Sequence, residues 1–568
     1  MAATGTVDQQ SGYTVREVNT SPIEGQLTGT SGLRKRVIEF QRPHYLANWI
    51  QSLFNALGSS QIIGATLVLG GDGRFWNDQA IDLIIRMAAA NGVGTLLVGQ
   101  NGILSTPAVS ALIRRVKATG GIILTASHNP GGPDADFGVK YNVENGGPAP
   151  SKITDQIFEH TNSISSYRIA DVSPPISLTD LGDRTIGSCR VSIIDSVQCH
   201  LECLQQVFDF DLLKALLARK DFNMVFDAMH GVTGPYARRL FVDILGGAES
   251  CLQNCKPLPD FGGGHPDPNL TYAADLVKLL MDDKSPFDFG AAADGDGDRN
   301  MILGRNTFVN PSDSVAIIAA HAGVFPYFKG GLGCVARSMP TSGALDRVAE
   351  KLGIKLYEVP TGWKFFGNIM DSFEDGHKVI CGEESFGTSS DHVREKDGLW
   401  AVLAWLSILA HYNRATPQGA LVSIDQILTR HWETYGRNFF SRYDYEGVDA
   451  TAAAHMMQHL IDSQADLLTK EEDLVTADQF CYEDPFDGSI TKNQGIRFVF
   501  RDGSRIIFRL SGTGSVGATV RLYVEQFESD VALLKQDAQE ALSPLLKRAL
   551  AYSEMQRFLG TETPTVIT

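Results

Sequence analysis

Four short stretches concentrate groups that can do chemistry, and each follows an apolar run. Thr125-Ala126-Ser127-His128-Asn129-Pro130-Gly131-Gly132 comes after residues 121–124 and presents one hydroxyl, Ser127, at an exposed turn. Ser, Asn and Gly are also ordinary turn formers, so alone this stretch is equally a polar turn. Asp294-Gly295-Asp296-Gly297-Asp298-Arg299 carries three alternate carboxylates. Carboxylates this close repel unless a cation sits among them, and an oxygen-only set selects a hard ion such as Mg²⁺. The competing reading is a solvated acidic turn. A calcium-binding EF-hand loop does not fit, because Arg299 stands where it needs Gly and Arg305 where it needs Glu. Gly382-Glu383-Glu384-Ser385-Phe386-Gly387 offers acceptors and a hydroxyl suited to sugar hydroxyls, or else caps a helix. Arg509-Leu510-Ser511-Gly512-Thr513-Gly514-Ser515 combines Arg, hydroxyls and Gly N–H groups as a phosphate cradle, with Arg521 as a second partner. Gly512, Gly514 and Gly517 spell GxGxxG, but a strand and not a helix follows, so no dinucleotide site is expected.

Two further stretches are ambiguous. Arg394-Glu395-Lys396-Asp397-Gly398 either brings a cation to the mouth of the third loop or is a solvated ion-pair turn. Gly29-Thr30-Ser31-Gly32 next to Arg34, Lys35 and Arg36 either binds an anion through backbone N–H groups or is a charged surface loop.

The elements around these stretches alternate. Strands at 65–69, 94–98 and 121–124 are separated by helical patterns at 81–90 and 108–117. The pattern recurs over 223–293 and again over 315–411, which implies βαβ units and largely parallel sheets. In such sheets ligands bind beyond the carboxyl ends of strands, where the first three stretches fall. A linker is expected at 413–419. After it come a helix at 424–435, antiparallel strands at 496–500, 505–510 and 519–526, and a helical region at 531–555 broken near Pro544. Residues 443–487 read as an insert with no legible chemistry. The expected architecture is therefore three similar mixed-sheet α/β domains, 1–196, 197–311 and 312–415, and a C-terminal α+β domain, 416–568.

The chain has 568 residues, 66 acidic against 49 basic, and a formal net charge of −17. That argues against nucleic-acid binding, while a local Arg/Lys cluster still captures a small anion. Eight scattered cysteines are too few for a disulfide scaffold and fit a reducing compartment. Cys199-His200-x-x-Cys203 with Cys251 and Cys255 lacks a zinc knuckle, and free thiols are the expectation. The first residues show no signal peptide, and the apolar run at 399–410 is too short to span a bilayer. Cytoplasmic location is expected.

A serine, a carboxylate triad, a hydroxyl-reading loop and a phosphate cradle point together to phosphoryl transfer on a phosphorylated polyol. The missing GxSxG elbow around Ser127 and the presence of an Asp triad that acyl transfer does not need both argue against an acyl hydrolase. In sequence and order the four motifs resemble those of the α-D-phosphohexomutases, and nearly the whole chain resembles the long eukaryotic phosphoglucomutases, including their parafusin branch. The resemblance implies a heart-shaped molecule with a central cleft. It also implies a phosphoryl group on Ser127, Mg²⁺ held by Ser127, Asp294, Asp296 and Asp298, and glucose 1,6-bisphosphate as intermediate and activator. Hexose phosphates are the implied substrates. By family position His128 and Lys140 lie near the transfer centre, Lys396 is an acid–base candidate, and Arg34 and Arg299 line the site. Thr361-Gly362, Glu383 and Ser385 read the sugar, while Arg509, Ser511, Thr513 and Arg521 hold the non-reacting phosphate. Leu27-Thr28 stands where many relatives carry Lys-Pro, which removes a cation from that loop. The alternative is an interaction protein, since some members of the branch are linked to vesicle exocytosis or adhesion. A lapsed copy should have lost Ser127 or an aspartate, and none is lost.

Overall fold

The computed structural model describes residues 6–7, 13–29, 32–373, 378–511 and 517–568. The first main sheet has seven strands, in spatial order Leu33–Arg36, Asp136–Val143, Gly120–Leu124, Thr66–Gly71, Thr95–Ile103, Cys189–Ile194 and Gly182–Ile186. Gly120–Leu124 through Cys189–Ile194 run parallel, and the flanking strands are antiparallel. Helices Asn77–Ala90 and Thr106–Val116 make the crossovers that parallel neighbours require. The second sheet orders Leu252–Gln253, Met224–Asp227, Phe289–Ala293, Asn300–Gly304 and Thr307–Phe308. The third orders Lys355–Val359, Leu332–Ser338, Lys378–Gly382 and Thr388–Ser390.

One device repeats in all three. A buried parallel strand ends in a short loop and returns as an antiparallel neighbour. The pairs are Gly120–Leu124 with Asp136–Val143, Phe289–Ala293 with Asn300–Gly304, and Lys378–Gly382 with Thr388–Ser390. The loop of each pair is one of the first three chemical stretches. The outgoing strands are buried on both faces, which is why they read as unbroken apolar runs.

The apolar run at 399–410 forms helix Gly398–Asn413, buried on every side. It lies in a core that spans the second and third domains and reaches Val109 and Ile113 of helix Thr106–Val116 in the first. Helix Ile424–Tyr435 joins the same core through Ile424, Ile427 and Leu428, and Trp432 Nε1 donates to Asp313 Oδ2 at 3.1 Å. The segment expected as a linker is pinned as well: Arg219 donates to the carbonyls of Asn413, Thr416 and Pro417. Helix Ile424–Tyr435 therefore packs against both the second and the third domain.

The C-terminal sheet is antiparallel, in the order Leu474–Gln479, Ile496–Phe500, Arg505–Ser511, Ala518–Glu528, Arg437–Val448 and Val566–Ile567. Helices Ala450–Lys470 and Ala538–Ser553 cover one face through Met456, Leu460, Leu542 and Ala549. Residues 443–487, read as an insert, thus belong to the body of this domain. Helix Ala538–Ser553 runs through Pro544 without breaking, because Glu540 and Pro544 are exposed and water can take the orphaned carbonyl. Residues 531–537 are turns and not helix. On the other face Phe440, Ile507 and Tyr523 pack on Met339, Trp363 and Phe366 of the third domain.

Candidate active site

Ser127 sits at φ +53°, a left-handed conformation that costs a residue with a Cβ about 1–2 kcal/mol. Its surroundings hold it there. Its N–H donates to Thr125 Oγ1 at 2.7 Å, and Thr125 Oγ1 donates to Asp72 Oδ2 at 2.6 Å. Arg74 donates to Asp72 at 2.9 Å, to the Ser127 carbonyl at 2.9 Å and to the Asp136 carbonyl at 2.8 Å. The Asp72–Arg74 pair is fully buried, and the guanidinium lies 5.2 Å from the centre of the Phe261 ring in the second domain. Sequence reasoning did not single out either residue. The signal available was an Asp-Gly-Arg turn at the carboxyl end of Thr66–Gly71.

The turn is not exposed as expected, since Ser127 keeps only 3% of its surface. The aspartate loop of the second domain covers it. Ser127 Oγ donates to Asp294 Oδ2 at 3.0 Å and lies 3.4 Å from His128 Nδ1. Thr106, also from the first domain, donates to Asp296 Oδ2 at 2.6 Å. Burial, then Arg299 and Arg34, hold the His128 imidazole well below its usual range. Its ring stacks on His265 at 6.3 Å.

The three aspartates are buried, which removes the solvated-turn reading. One ligand oxygen from each lies within 4.8 Å of the others. At an effective dielectric of about 20, each charged pair repels by roughly 3 kcal/mol. Backbone N–H groups offset part of this: Asp298 and Arg299 donate to Asp294 Oδ1 at 2.9 and 3.0 Å. Asp296 Oδ1 and Asp298 Oδ1 are buried and lack hydrogen-bond partners among the described residues. Burial and the other two carboxylates push Asp294 well above the usual carboxylate range. Burial also opposes ionisation of Asp296, but Lys140, the Thr106 hydroxyl and Lys396 outweigh it and hold that carboxyl low. Orphaned carboxylate oxygens converging in a buried loop are the donor set of a hard divalent cation, so the residues fit Mg²⁺.

The third domain closes on this loop. Lys396 Nζ lies 3.0 Å from Asp298 Oδ2, and Lys140 Nζ donates to Glu395 Oε1 at 3.2 Å. Arg299 pairs with Asp267 at 3.1 Å and bridges to Gly387 through its backbone. A Cβ at Gly387 would stand 2.2 Å from Lys396 Cδ, so only glycine lets the lysine pass. Glu383 accepts from the Gly362 N–H at 3.1 Å, and burial raises its carboxyl above the usual range. Thr361 Oγ1 is buried without a partner among the described residues, and Ser385 is buried on the same loop. Glu384 turns inward to Ser338 Oγ at 3.2 Å. Arg34 is half-buried, close enough to Asp296 and Arg299 to interact with both charges.

In the fourth domain Arg509 and Arg521 face each other on paired strands. Arg509 donates to the Gln494 carbonyl at 3.3 Å and to Tyr523 at 3.4 Å. Arg521 acts electrostatically on His128 and Arg299, which brings it to the first and second domains. Arg521 Nε lies 3.8 Å from Asp444 Oδ1, and Arg442 Nε lies 3.0 Å from the same oxygen. Sequence reasoning missed Arg442, because a lone Arg inside a strand carries no motif. Ser511 ends its strand. Thr513 lies outside the described residues, as do Thr30 and Ser31. His200 of the cysteine-flanked stretch turns its ring to Asp397.

Four domains converging on a buried carboxylate triad, one serine and a row of cations define a multidomain phosphotransferase. Comparison with known proteins narrows this. Models of phosphoglucomutase/phosphomannomutase α/β/α domains I, II and III match residues 25–168, 199–307 and 311–435. The model of the phosphoglucomutase-1 C-terminal domain matches residues 437–565. The chain is 58% identical to phosphoglucomutase 1, chloroplastic, of Marchantia polymorpha, over 100% of this chain and 87% of that one. It is 55% identical to the cytoplasmic phosphoglucomutase of Bromus inermis, over 98% and 100%. The crystal structure of Paramecium parafusin in its open form, an exocytosis-sensitive phosphoprotein and phosphoglucomutase, superposes with a TM-score of 0.90. That match is at 52% identity and covers 98% of this chain and 99% of the other. The chain belongs to the phosphoglucomutase/phosphomannomutase family.

Proposed function

We propose that the chain is a phosphoglucomutase that interconverts glucose 1-phosphate and glucose 6-phosphate, with Ser127 as the phosphoryl carrier. The observation that carries this reading is the contact of Ser127 Oγ with Asp294, inside a triad in which Asp296 Oδ1 and Asp298 Oδ1 are buried and unpartnered among the described residues. Asp294, Asp296, Asp298 and the Ser127 oxygen would hold Mg²⁺, which when bound neutralises charge on the transferring group. Arg509, Ser511, Thr513 and Arg521 hold the non-reacting phosphate. Glu383, Ser385 and Thr361-Gly362 orient the sugar hydroxyls. The Ser127 phosphoryl passes to the 6-oxygen, glucose 1,6-bisphosphate turns over in the cleft, and its 1-phosphoryl returns to Ser127. Lys396 is the acid–base group, and the ammonium form favoured by Asp298 fits it to protonate the sugar oxygen that is released when the 1-phosphoryl returns to Ser127. Lys140, Arg34 and Arg299 complete the positive rim, with His128 beside Ser127 at the transfer centre.

We place the domain limits near 196, 310 and 436, the last on the packing of helix Ile424–Tyr435. The compartment we propose is the cytoplasm, which eight free thiols fit, although the matched relatives include chloroplastic as well as cytoplasmic proteins. No helix among the described residues is long and apolar enough to cross a membrane. The likeness to parafusin leaves room for a vesicle or scaffold partner beside catalysis. Two measurements test the central reading. Ser127→Ala should abolish interconversion, and peptide mass spectrometry should find phosphate on Ser127 after incubation with glucose 1,6-bisphosphate. Full activity of the variant, or a Ser127 that cannot be charged, would overturn it.

A further inference from the structure

The stretch Arg394-Glu395-Lys396-Asp397-Gly398 is not a solvated turn. Arg394, Glu395 and Asp397 are 7%, 1% and 0% exposed, and each residue is tied to a different element. The Arg394 N–H donates to Ser110 Oγ of the first domain at 2.9 Å, and its guanidinium donates to Asp371 of the third at 2.7 Å. Glu395 accepts from Lys140 and Asn142 of the first domain at 3.2 and 2.9 Å. Lys396 reaches Asp298 of the second, and the Gly398 N–H donates to the Gly297 carbonyl at 3.0 Å. Asp397 is the centre of the remaining contacts. Its Oδ1 caps helix Gly398–Asn413 by accepting from the Trp400 N–H at 3.0 Å. Its Oδ2 lies 2.6 Å from His200 Nε2 and 3.0 Å from His392 Nε2.

The tautomers follow from the neighbours. His392 Nδ1 lies 2.8 Å from Ser390 Oγ, which can donate to it, so His392 presents Nε2–H to the carboxylate. His200 Nδ1 is buried and has no hydrogen-bond partner among the described residues. Its Nε2 faces a carboxylate, which can only accept, so His200 also presents Nε2–H. Two imidazoles from different domains thus clamp one buried carboxylate, and His200 is packed edge-on against Tyr236 at 5.8 Å in the second domain. Burial opposes the charge of Asp397, but the two imidazoles more than compensate and hold it far below the usual carboxylate range.

We infer that Asp397, clamped by His200 and His392, is the positioning group that fixes Lys396 against the aspartate triad across the second and third domains. His200 touches neither substrate nor metal ligand and acts only through this loop. The inference rests on the reading of Lys396 as the acid–base group.

Kinetics on the full-length, Mg²⁺-loaded protein test it. His200→Phe keeps the ring volume and removes the N–H; kcat should fall tenfold or more while KM for glucose 1-phosphate stays within twofold. His200→Gln returns an N–H to the Nε2 position and should recover kcat to within threefold of the parent. In a Lys396→Gln background, His200→Phe should cost less than a further twofold. Should His200→Phe not fold, Asp397→Asn, which keeps the volume and the helix cap, should show the same kcat loss and the same absence of effect on Lys396→Gln. Equal kcat for the Phe and Gln variants, or an undiminished loss in the Lys396→Gln background, would overturn the inference. Full kcat in Lys396→Gln alone would sink the underlying acid–base reading instead.

Discussion

Replacing Arg74 with Met should detach Ser127 from the base of its own turn. The guanidinium, itself fully buried, donates to Asp72, to the Ser127 carbonyl and to the Asp136 carbonyl. Without it the Asp72 carboxylate keeps only the Thr125 hydroxyl and the backbone N–H of residue 74. An uncompensated buried charge of this kind costs about 3–5 kcal/mol. The left-handed backbone of Ser127 adds about 1–2 kcal/mol of strain that its anchors must offset. The loss exceeds what the remaining anchors supply, so the turn should relax. A displacement of about 1 Å at a reacting oxygen lowers rate on the order of 10²-fold.

The expected result is a kcat about 100-fold down in an assay that couples glucose 6-phosphate formation to its dehydrogenase. Faster hydrogen exchange in Gly120–Leu124 should accompany it. Asp72→Asn combined with Arg74→Met separates stability from positioning. The double variant has no orphaned charge and should regain most of the exchange protection. It still lacks the donor to Ser127, so its kcat should remain at least tenfold down. A folded Arg74→Met protein with kcat within threefold of the parent would refute the reasoning, as would a double variant that regains both properties.

Chelation should remove activity and Mg²⁺ should restore it, as followed by initial rates after dialysis against EDTA. Under the same metal-free conditions Asp294→Asn, which breaks no ion pair, should raise the thermal midpoint, because it deletes repulsions of roughly 3 kcal/mol per charged pair, while leaving the protein inactive on metal return. Asp313 gives a separate pH test. Burial raises its carboxyl to about 6, with Arg437 and the Trp432 N–H acting in the opposite direction. The folded state then binds the proton more tightly than the unfolded state, so this group's contribution is complete below about pH 4 and is lost as pH rises through about 6. The loss is about 3 kcal/mol. Asp313→Asn keeps the acceptor for Trp432 and cannot ionise, so it should raise the melting temperature at pH 8 and leave it unchanged at pH 4.

The loops were legible because each had a double signature: a fully apolar strand before it and an abrupt cluster of Gly and charged residues after it. The C-terminal boundary was not. A Pro/Gly segment at 413–419 looks like a linker whether or not Arg219 reaches across from another domain to bind its carbonyls. Residues 443–487 were opaque for a related reason. Strand Arg437–Val448 alternates Phe439, Tyr443 and Tyr445 toward one layer with Phe440 and Arg442 toward another, so both faces are partly apolar and neither periodicity dominates. The anchors of Ser127 were hidden by distance in sequence. Asp72 and Arg74 lie more than fifty residues upstream of the serine they hold. The pairing of Asp397 with His200 joins positions 197 apart, and the nearest local signal, two flanking cysteines, read only as free thiols.

The surroundings of Ser127 favour a phosphoryl carrier over a serine activated by a base. A serine–histidine pair that works on acyl groups needs the hydroxyl to donate to the imidazole and a carboxylate to orient the imidazole's other nitrogen. Here the hydroxyl donates to Asp294, and the His128 contact is the longer one, 3.4 against 3.0 Å. The described neighbour of the His128 ring is a second imidazole, His265, and not a carboxylate. Burial, Arg299 and Arg34 all oppose a proton on His128, whereas a catalytic base must accept one. The same cations that disable His128 as a base suit a group that arrives already charged. Arg299 Nε and Arg34 Nε are buried and unpartnered among the described residues. Unfilled donors beside unfilled acceptors, Asp296 Oδ1 and Asp298 Oδ1, are costly for a site that handles neutral groups. They are satisfied together when a divalent cation meets the carboxylates and a phosphoryl group meets the arginines, which is the ligand pair this reading assigns to Ser127.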